Sequence, residues 1–386
     1  MKKPWSPRRL LLPLTPLYRL ALAWREFLLA IGLEPVRRLR FPVIAIGNLS
    51  AGGAGKTPLT IALARALAER GLRVDVLSRG YGRESKLAAR VNPAGTAEEF
   101  GDEPILIALA ARVPVYVAPR RFDAGQLAEA DAKAEAAKPA PKPEQAGQSS
   151  NPTGNAPPAQ AAPDAAAGKA APDGLAAAAD KPTAPPLLPT PVHLLDDGFQ
   201  HRQLTRNVDI LLLDGEDWQD WLLPAGNLRE PLQAIHRASA IAVPADEPEL
   251  ETELSLCGWQ GPILRLRRKM EIPFAASPIA AFCGIARPEQ FFKGLESAGL
   301  KITVRFAFPD HYAYTRAVLD ELLAEARENN VTAIVTTGKD LVRLGKLASL
   351  FPNSMPLVTA HLHIQIEDLD SVVDWLIDQV TNAPHG

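Results

Sequence analysis

The chain is poor in cysteine. Its 386 residues hold only Cys257 and Cys283, with no C-x-x-C pair and no cluster of metal ligands. That excludes a disulfide framework and a cysteine-held metal, suits a reducing compartment, and leaves both residues to be read as small core side chains. A large charge of one sign is also missing: the formal net charge is -2. A uniformly basic binder of nucleic acid is therefore not expected, and nothing in the pattern calls for an obligate protein partner. No internal repeat is present. The first forty residues lack an uninterrupted apolar run, because Pro13, Pro16, Arg19, Arg25 and Glu26 break "LLLPLTPLYRLALAWREFLLAIGL". A spanning helix needs about 20 apolar residues in a row, and no small-residue cleavage site follows as a signal peptide requires.

What that segment does have is a coincidence of features. Residues 1–40 carry nine Lys and Arg against two Glu, with Trp5, Tyr18, Trp24 and Phe27 interspersed among leucines. Arginines facing phosphate headgroups and aromatics at the acyl boundary fit a helix lying in a membrane surface. The bland alternative is an amphipathic helix packed on the protein's own core.

Hydrophobic residues make up 47% of the chain, enough for a sizeable core, and the length suits two domains of roughly 100–200 residues. "PVIAIGNL", "RVDVLSRG", "VPVYVAP", "PVHLLDDG" and "VDILLLDG" are short apolar runs that end in charge or glycine. Between them lie helical patterns such as "TPLTIALARALAERG", which stops at Gly71. This alternation predicts an α/β fold: a mostly parallel sheet flanked by helices, with ligands at the carboxyl ends of the strands. The pattern assigns residues 41–245 to this core and 246–386 to a second, smaller α/β domain. About residues 127–190 the composition shifts to Ala, Pro, Gly and polar residues. Such a stretch buries too little apolar surface to offset its ordering entropy and reads as a disordered insertion within the core.

The chemistry-bearing stretch is "GNLSAGGAGKTP". A strand, a glycine-rich turn, Lys56, Thr57 and an immediate helix are the arrangement in which backbone N–H groups cradle phosphates. Gly52, Gly53, Ala54 and Gly55 form the cradle, Lys56 reaches the terminal phosphates of a nucleotide such as ATP, and Thr57 serves Mg²⁺. Pro58 fits the first helical turn. The general pattern G-x-x-x-x-G-K-[ST] asks for glycine where Ser50 stands. The variant loop of partitioning ATPases asks for lysine where Ala51 stands, which argues against that class. In "VHLLDDGFQHRQL" the acids Asp196 and Asp197 sit at a strand tip, where a nucleotide-bound Mg²⁺ needs a carboxylate. An ordinary Asp-Asp-Gly turn is the plain alternative. These two motifs alone also fit a P-loop NTPase that switches a protein partner.

The wider set of motifs is more specific. "GNLSAGGAGKTP", "SRGYGR", "GDEP", "DDGFQHR", "LLPAGNLREP" and "PDHYAY" occur in this order across nearly the whole chain outside the insertion. In that combination the chain resembles the tetraacyldisaccharide 4'-kinase family, the lipid A 4'-kinases of Gram-negative bacteria, and Ser50 is that family's own form of the loop. The resemblance implies transfer of the γ-phosphate of ATP to the 4'-hydroxyl of a tetraacyldisaccharide 1-phosphate, giving lipid IV-A. It implies peripheral or monotopic residence on the cytoplasmic face of the bacterial inner membrane. It further implies a P-loop kinase core and a smaller α/β domain joined by a short β linker that includes "ILRLRRKMEI", with the site in the cleft between. By the same resemblance Asp196 and Asp197 are the metal-side acids, and Asp102 of "GDEP" is the general base assisted by His311 of "PDHYAY". Arg79, Arg83, Arg229 and Glu230 suit recognition of phosphate or substrate. Gln200 and His201 lie beside the acid pair as substrate contacts or structural neighbours. His361, His363 and His385 carry no motif and read as surface residues. In "TTGKDLVRL" Gly338 stands where the family segment has glutamate, while Lys339 and Asp340 remain.

Overall fold

The computed structural model describes residues 7–52, 55–137, 191–273 and 277–382. A 3-10 segment, Pro7–Leu14, leads into α1 (Thr15–Ala30). There follow β1 (Val43–Asn48), α2 (Lys56–Glu69), β2 (Arg73–Ser78), the short β3 (Ala89–Arg90), α3 (Ala97–Phe100), α4 (Asp102–Ala111), β4 (Val115–Val117) and α5 (Arg121–Ala136). The next group is β5 (Pro191–Asp196), β6 (Val208–Leu212), α6 (Gly215–Trp218), β7 (Ala240–Pro244), α7 (Pro248–Leu256) and β8 (Ile263–Glu271). The last is β9 (Ile279–Cys283), α8 (Pro288–Ser297), β10 (Ile302–Ala307), α9 (Arg316–Glu328), β11 (Ala333–Thr337), α10 (Gly338–Leu344), β12 (Leu357–Ile366) and α11 (Leu369–Thr381).

The strands form one sheet in the order β10-β9-β11-β12-β8-β7-β6-β1-β5-β2-β4-β3. From β8 to β4 neighbouring strands run parallel, as do β10, β9, β11 and β12. The two parallel groups meet through the antiparallel pair β8–β12, in register from His361 opposite Glu271 to Ile366 opposite Leu266. Parallel strands buried on both faces must be apolar throughout, and β1 is buried along its whole length. Residues beyond 245 do not all stay with the second group. Leu250 and Leu254 of α7 pack with Leu211 and Ile241, and α11 returns to lay Val373, Leu376 and Val380 in the same core as Ile44 and Leu63.

Two expectations change. Helix α5 runs on through Ala136, well into the stretch read as an insertion. It does so because small Ala124, Ala128 and Ala132 recur on one face and let the helix lie close against Tyr116 and Leu77. The rest of that stretch, from residue 138 to 190, lies outside the described residues, as does His385. Cys283 is buried, but Cys257 is exposed. It ends α7, where the chain reverses at Gly258 with φ 82°.

Candidate active site

Strand β1 delivers the glycine-rich loop to the carboxyl edge of the sheet. Gly55, at φ 91°, turns the chain into α2 in a conformation costly for any side chain. Gly53 and Ala54 lie outside the described residues. Ser50 is fully buried and does structural work that a glycine cannot: its hydroxyl accepts a hydrogen bond from Asn48 Nδ2 at 2.9 Å. Its backbone pairs antiparallel with Leu228, Ala51 N–H donates to Asn227 O, and Arg229 N–H donates to Leu49 O. The loop is thus zipped to the segment "GNLRE", which explains why that motif accompanies it.

Asn48, at the tip of β1, gathers the charged groups. Its Oδ1 accepts from Lys56 Nζ at 2.8 Å and from an Arg229 terminal nitrogen at 2.7 Å. Arg229 also grips both oxygens of Asp197, at 3.2 and 2.9 Å, and Lys56 Nζ stands 3.5 Å from Asp197 Oδ1. Asp197 has a positive φ of 50°, which turns its carboxylate out of the strand line toward Lys56. Burial would raise its pKa, but Lys56 and Arg229 overcome that and hold it well below the usual carboxylate range. Its neighbour Asp196 behaves in the opposite way. It is buried, its Oδ1 accepts from the Thr60 hydroxyl at 3.2 Å, and burial together with Glu103 and Asp197 raises its pKa. Adjacent acids are therefore split: one paired with cations, one short of positive charge.

Across a cleft of about 1420 Å³ lies the second group of residues. Asp102, the first residue of α4, is buried. Its Oδ1 accepts the Glu103 N–H at 2.9 Å, and its Oδ2 accepts from Arg343 Nε at 2.6 Å and lies 3.3 Å from His311 Nδ1. Burial favours the protonated form of Asp102, yet the His311 hydrogen bond and the Arg343 charge pull its pKa well below the usual range. The hydrogen bond to Asp102 raises that of His311. The ring of Tyr81 rests on His311 at 4.9 Å between centroids. Lys339 Nζ pairs with Glu103 Oε1 beside this group.

The cleft brings together Gly52, Gly55, Lys56, Thr57, Arg79, Asp196, Asp197, His201, Arg229 and His311. Arg83 and Glu230 are engaged elsewhere. Arg83 donates to the Leu87 carbonyl of its own loop at 2.6 Å, and buried Glu230 pairs with Arg237 at 2.6 Å. His201 is kept neutral, its pKa pushed down to about 4 by burial and by Arg121. Gln200 serves the framework, donating to Asn48 O at 2.9 Å. His361 and His363 lie at the surface, as read, and also line the cleft. Sequence reasoning missed Asn48 and Arg343. For Asn48 a signal existed, a polar residue ending an apolar strand before a glycine loop. Arg121 was missed as well; it is buried beneath the acid pair and donates to Asp196 O at 3.4 Å.

A phosphate-cradling loop between strand and helix, with paired acids on the next strand of a parallel sheet, defines the chain as a P-loop kinase of the α/β class. A family model described as tetraacyldisaccharide-1-P 4'-kinase matches residues 7–381, and the chain belongs to that family. It is 34% identical over 377 residues to the tetraacyldisaccharide 4'-kinase of Koribacter versatilis, covering 95% of this chain and 97% of that one. It is 32% identical over 361 residues to the enzyme of the same name from Aquifex aeolicus, covering 89% and 92%. The crystal structure of Aquifex aeolicus LpxK in complex with ATP superimposes with a TM-score of 0.63 at 29% identity, covering 97% of this chain and all of that one. The activity that goes with the family is phosphorylation of the tetraacyldisaccharide in lipid A biosynthesis.

Proposed function

We propose that the cleft binds ATP and Mg²⁺ on the β1–α2 loop and a tetraacyldisaccharide 1-phosphate on the opposite side, and that His311 accepts the proton of the 4'-hydroxyl. The oxygen set fits magnesium: Asp196 is a buried carboxylate short of positive charge, and Thr57, in the first turn of α2, lines the same cleft. Bound ATP and Mg²⁺ supply the phosphoryl group and neutralise its oxygens. Lys56, steered by Asn48 and Asp197, faces the loop where the phosphates lie. Arg79, exposed on the cleft wall after β2, suits an anionic group of the acceptor.

The observation that carries the reading is the pair of buried Asp102 and exposed His311 at 3.3 Å, facing the phosphate loop across one cleft. Both oxygens of Asp102 are already engaged, by Glu103 N–H and by Arg343. In the tautomer that serves this role, Nδ1 of His311 donates to Asp102 and Nε2 keeps its lone pair for the sugar hydroxyl; an Arg343 terminal nitrogen stands 3.3 Å from the same Nδ1 and faces the Asp102 oxygen instead. Asp102 then orients the ring and stabilises the imidazolium that forms, so the two residues share the work of the base.

The apolar acceptor also needs a route from its membrane. Tyr18 O–H donates to Arg229 O at 2.9 Å, and Arg25 donates to Gln200 O at 2.5 Å, so α1 is fastened at the rim of the cleft. Its other face leaves Leu17, Leu20, Trp24, Phe27 and Ile31 exposed at helical spacing. Among the described residues no helix is long and apolar enough to cross a membrane. The helix suits lying in the surface of the cytoplasmic leaflet, where it holds the cleft next to the lipid acceptor.

The test incubates the protein with ATP, Mg²⁺ and tetraacyldisaccharide 1-phosphate in mixed micelles and follows phosphate onto the lipid. Phosphorylation at the 4' position is expected. ATP hydrolysis with no phosphate on the lipid would sink the proposal.

A further inference from the structure

We infer that Arg343 is a positioning residue: together with Lys339 it docks α10 onto the first turn of α4 and so assembles the Asp102–His311 pair across the cleft. This rests on the reading of that pair as the proton acceptor. Asp102 and Arg343 are 241 residues apart, and Glu103 and Lys339 are 236 apart. Lys339 and Arg343 lie one turn apart on α10, so both project to the same side. They meet adjacent acids, Glu103 and Asp102, on a helix of the other strand group.

The Arg343 side chain is 6% exposed and that of Asp102 4%, so neither charge relies on water. A buried cation must have its donors met, and the fork of Arg343 is fully committed. Its Nε and one terminal nitrogen take Asp102 Oδ2; the other takes the Gly284 carbonyl and, at 3.1 Å, Asp340 Oδ1. The same Gly284 carbonyl accepts the His311 N–H at 3.3 Å, and Asp340 Oδ1 accepts the Gly284 N–H at 3.0 Å and the Tyr314 hydroxyl at 2.9 Å. One guanidinium thus ties the carboxylate on α4 to the loop that carries His311. A lysine has the charge but not the fixed fork that spans these acceptors.

The groups facing His311 are Asp102 from α4, Arg343 from α10, Asp310 of its own loop and the Tyr81 ring from the loop after β2. Among the described residues Arg343 is the one cation of this set. Besides fixing the geometry, it opposes protonation of His311 while keeping Asp102 ionised. Its loss therefore leaves His311 protonated to higher pH.

Three variants of the full chain are assayed with ATP, Mg²⁺ and lipid acceptor across pH. Arg343→Gln is expected to lower kcat about tenfold or more, a share of the roughly 10²–10⁴-fold that positioned acid–base groups contribute. KM for ATP stays within about twofold, and the acid limb of kcat moves to higher pH. Arg343→Lys is expected to restore the limb but only part of kcat. His311→Asn is expected to abolish the limb. If His311→Asn keeps both turnover and limb, the reading of the dyad fails. If His311→Asn behaves as expected while Arg343→Gln keeps wild-type kcat and limb, the inference on Arg343 fails alone. Should the glutamine variant not fold, Arg343→Lys decides: kcat lowered several-fold at unchanged ATP KM supports the inference, and wild-type kcat overturns it.

Discussion

The two walls of the cleft are built differently. On the loop wall Asn48, Lys56, Asp197 and Arg229 all come from the strand group around β1, and their contacts close without help from the second group. On the other wall Asp102 comes from α4, but its partners His311 and Arg343 come from the far side of the β8–β12 junction. On the proposed reading the phosphate-gripping part is therefore preformed within one unit, while the proton-accepting part exists only when α10 sits on α4. Nucleotide binding and base assembly are separable, and variants on the two walls should fail in different ways.

Breaking the loop wall has the largest expected effect. Lys56→Ala removes a preorganised cation from the phosphate site, a change that costs about 10²–10³-fold where one such donor is lost. It is expected at the upper end of that range in kcat/KM, with a raised KM for ATP, because the cation that Asn48 and Asp197 hold toward the loop is gone. Steady-state kinetics and nucleotide titration check it, and an unchanged KM for ATP would show that Lys56 does not face the phosphates.

Breaking the other wall should spare ATP. His311→Asn is expected to lower kcat about 10²-fold while KM for ATP stays within a factor of two. A parallel loss of ATP affinity would mean that the walls are not independent.

Those two walls also differed in how far the sequence disclosed them. Lys56, Thr57 and the Asp196–Asp197 pair were legible because phosphate chemistry writes its demand into contiguous residues: a strand, a tight turn, a helix start. Even the anomaly at Ser50 was informative, since its hydroxyl and backbone lock the loop to residues 227–229. Arg343 was not legible. Its spacing from Lys339 was visible, but a charged pair on a short helix normally reads as a solvated face, and the acids that bury it lie more than two hundred residues earlier in the chain. Helix α5 was misread past Leu127 for another reason. An Ala-rich stretch offers little side-chain surface to bury until a close-packed neighbour such as Tyr116 makes small side chains the right size.

The pH dependence sharpens the contrast. His311 has its pKa raised above 6.5 by Asp102, and it must be unprotonated at Nε2 to act. The acid limb of kcat is therefore expected above pH 6.5, rising through the shifted value. The effect on stability runs the other way. The extra stability from protonated His311 beside Asp102 is complete below pH 6.5 and is lost as pH rises through the folded-state value. Asp102, with its pKa depressed below 3.8, adds stability that is present above 3.8 and is lost as pH falls toward its folded-state value. A limb centred below 6.5 in a pH–rate profile would contradict the pairing.

A smaller effect is expected away from both walls. Trp24→Glu with Phe27→Glu places charge on the exposed face of α1 and should weaken cosedimentation with anionic vesicles by at least about tenfold, because each ring at a membrane surface recovers only a fraction of the roughly 1.5–3 kcal/mol that full burial gives. Binding of ATP in detergent-free buffer should not change, because Tyr18 and Arg25, which fasten α1 to the cleft rim, are kept. Equal vesicle binding by the double variant would remove α1 as the lipid contact.

The smallest expected effect lies where α10 touches α4. Gly338 opens α10, and a Cβ added there would lie 3.0 Å from Leu106 Cδ1. Alanine is favoured over glycine in a helix by up to about 1 kcal/mol, but here that gain is opposed by crowding against a half-buried leucine. Gly338→Ala alone is therefore expected to leave the melting temperature nearly unchanged. In a Leu106→Ala background the crowding is gone, and the same substitution should raise it. The pair thus couples, as contacting residues do. Simple additivity of the two changes would show that α10 does not press on α4 at Leu106, and would loosen the docking that brings Arg343 to Asp102.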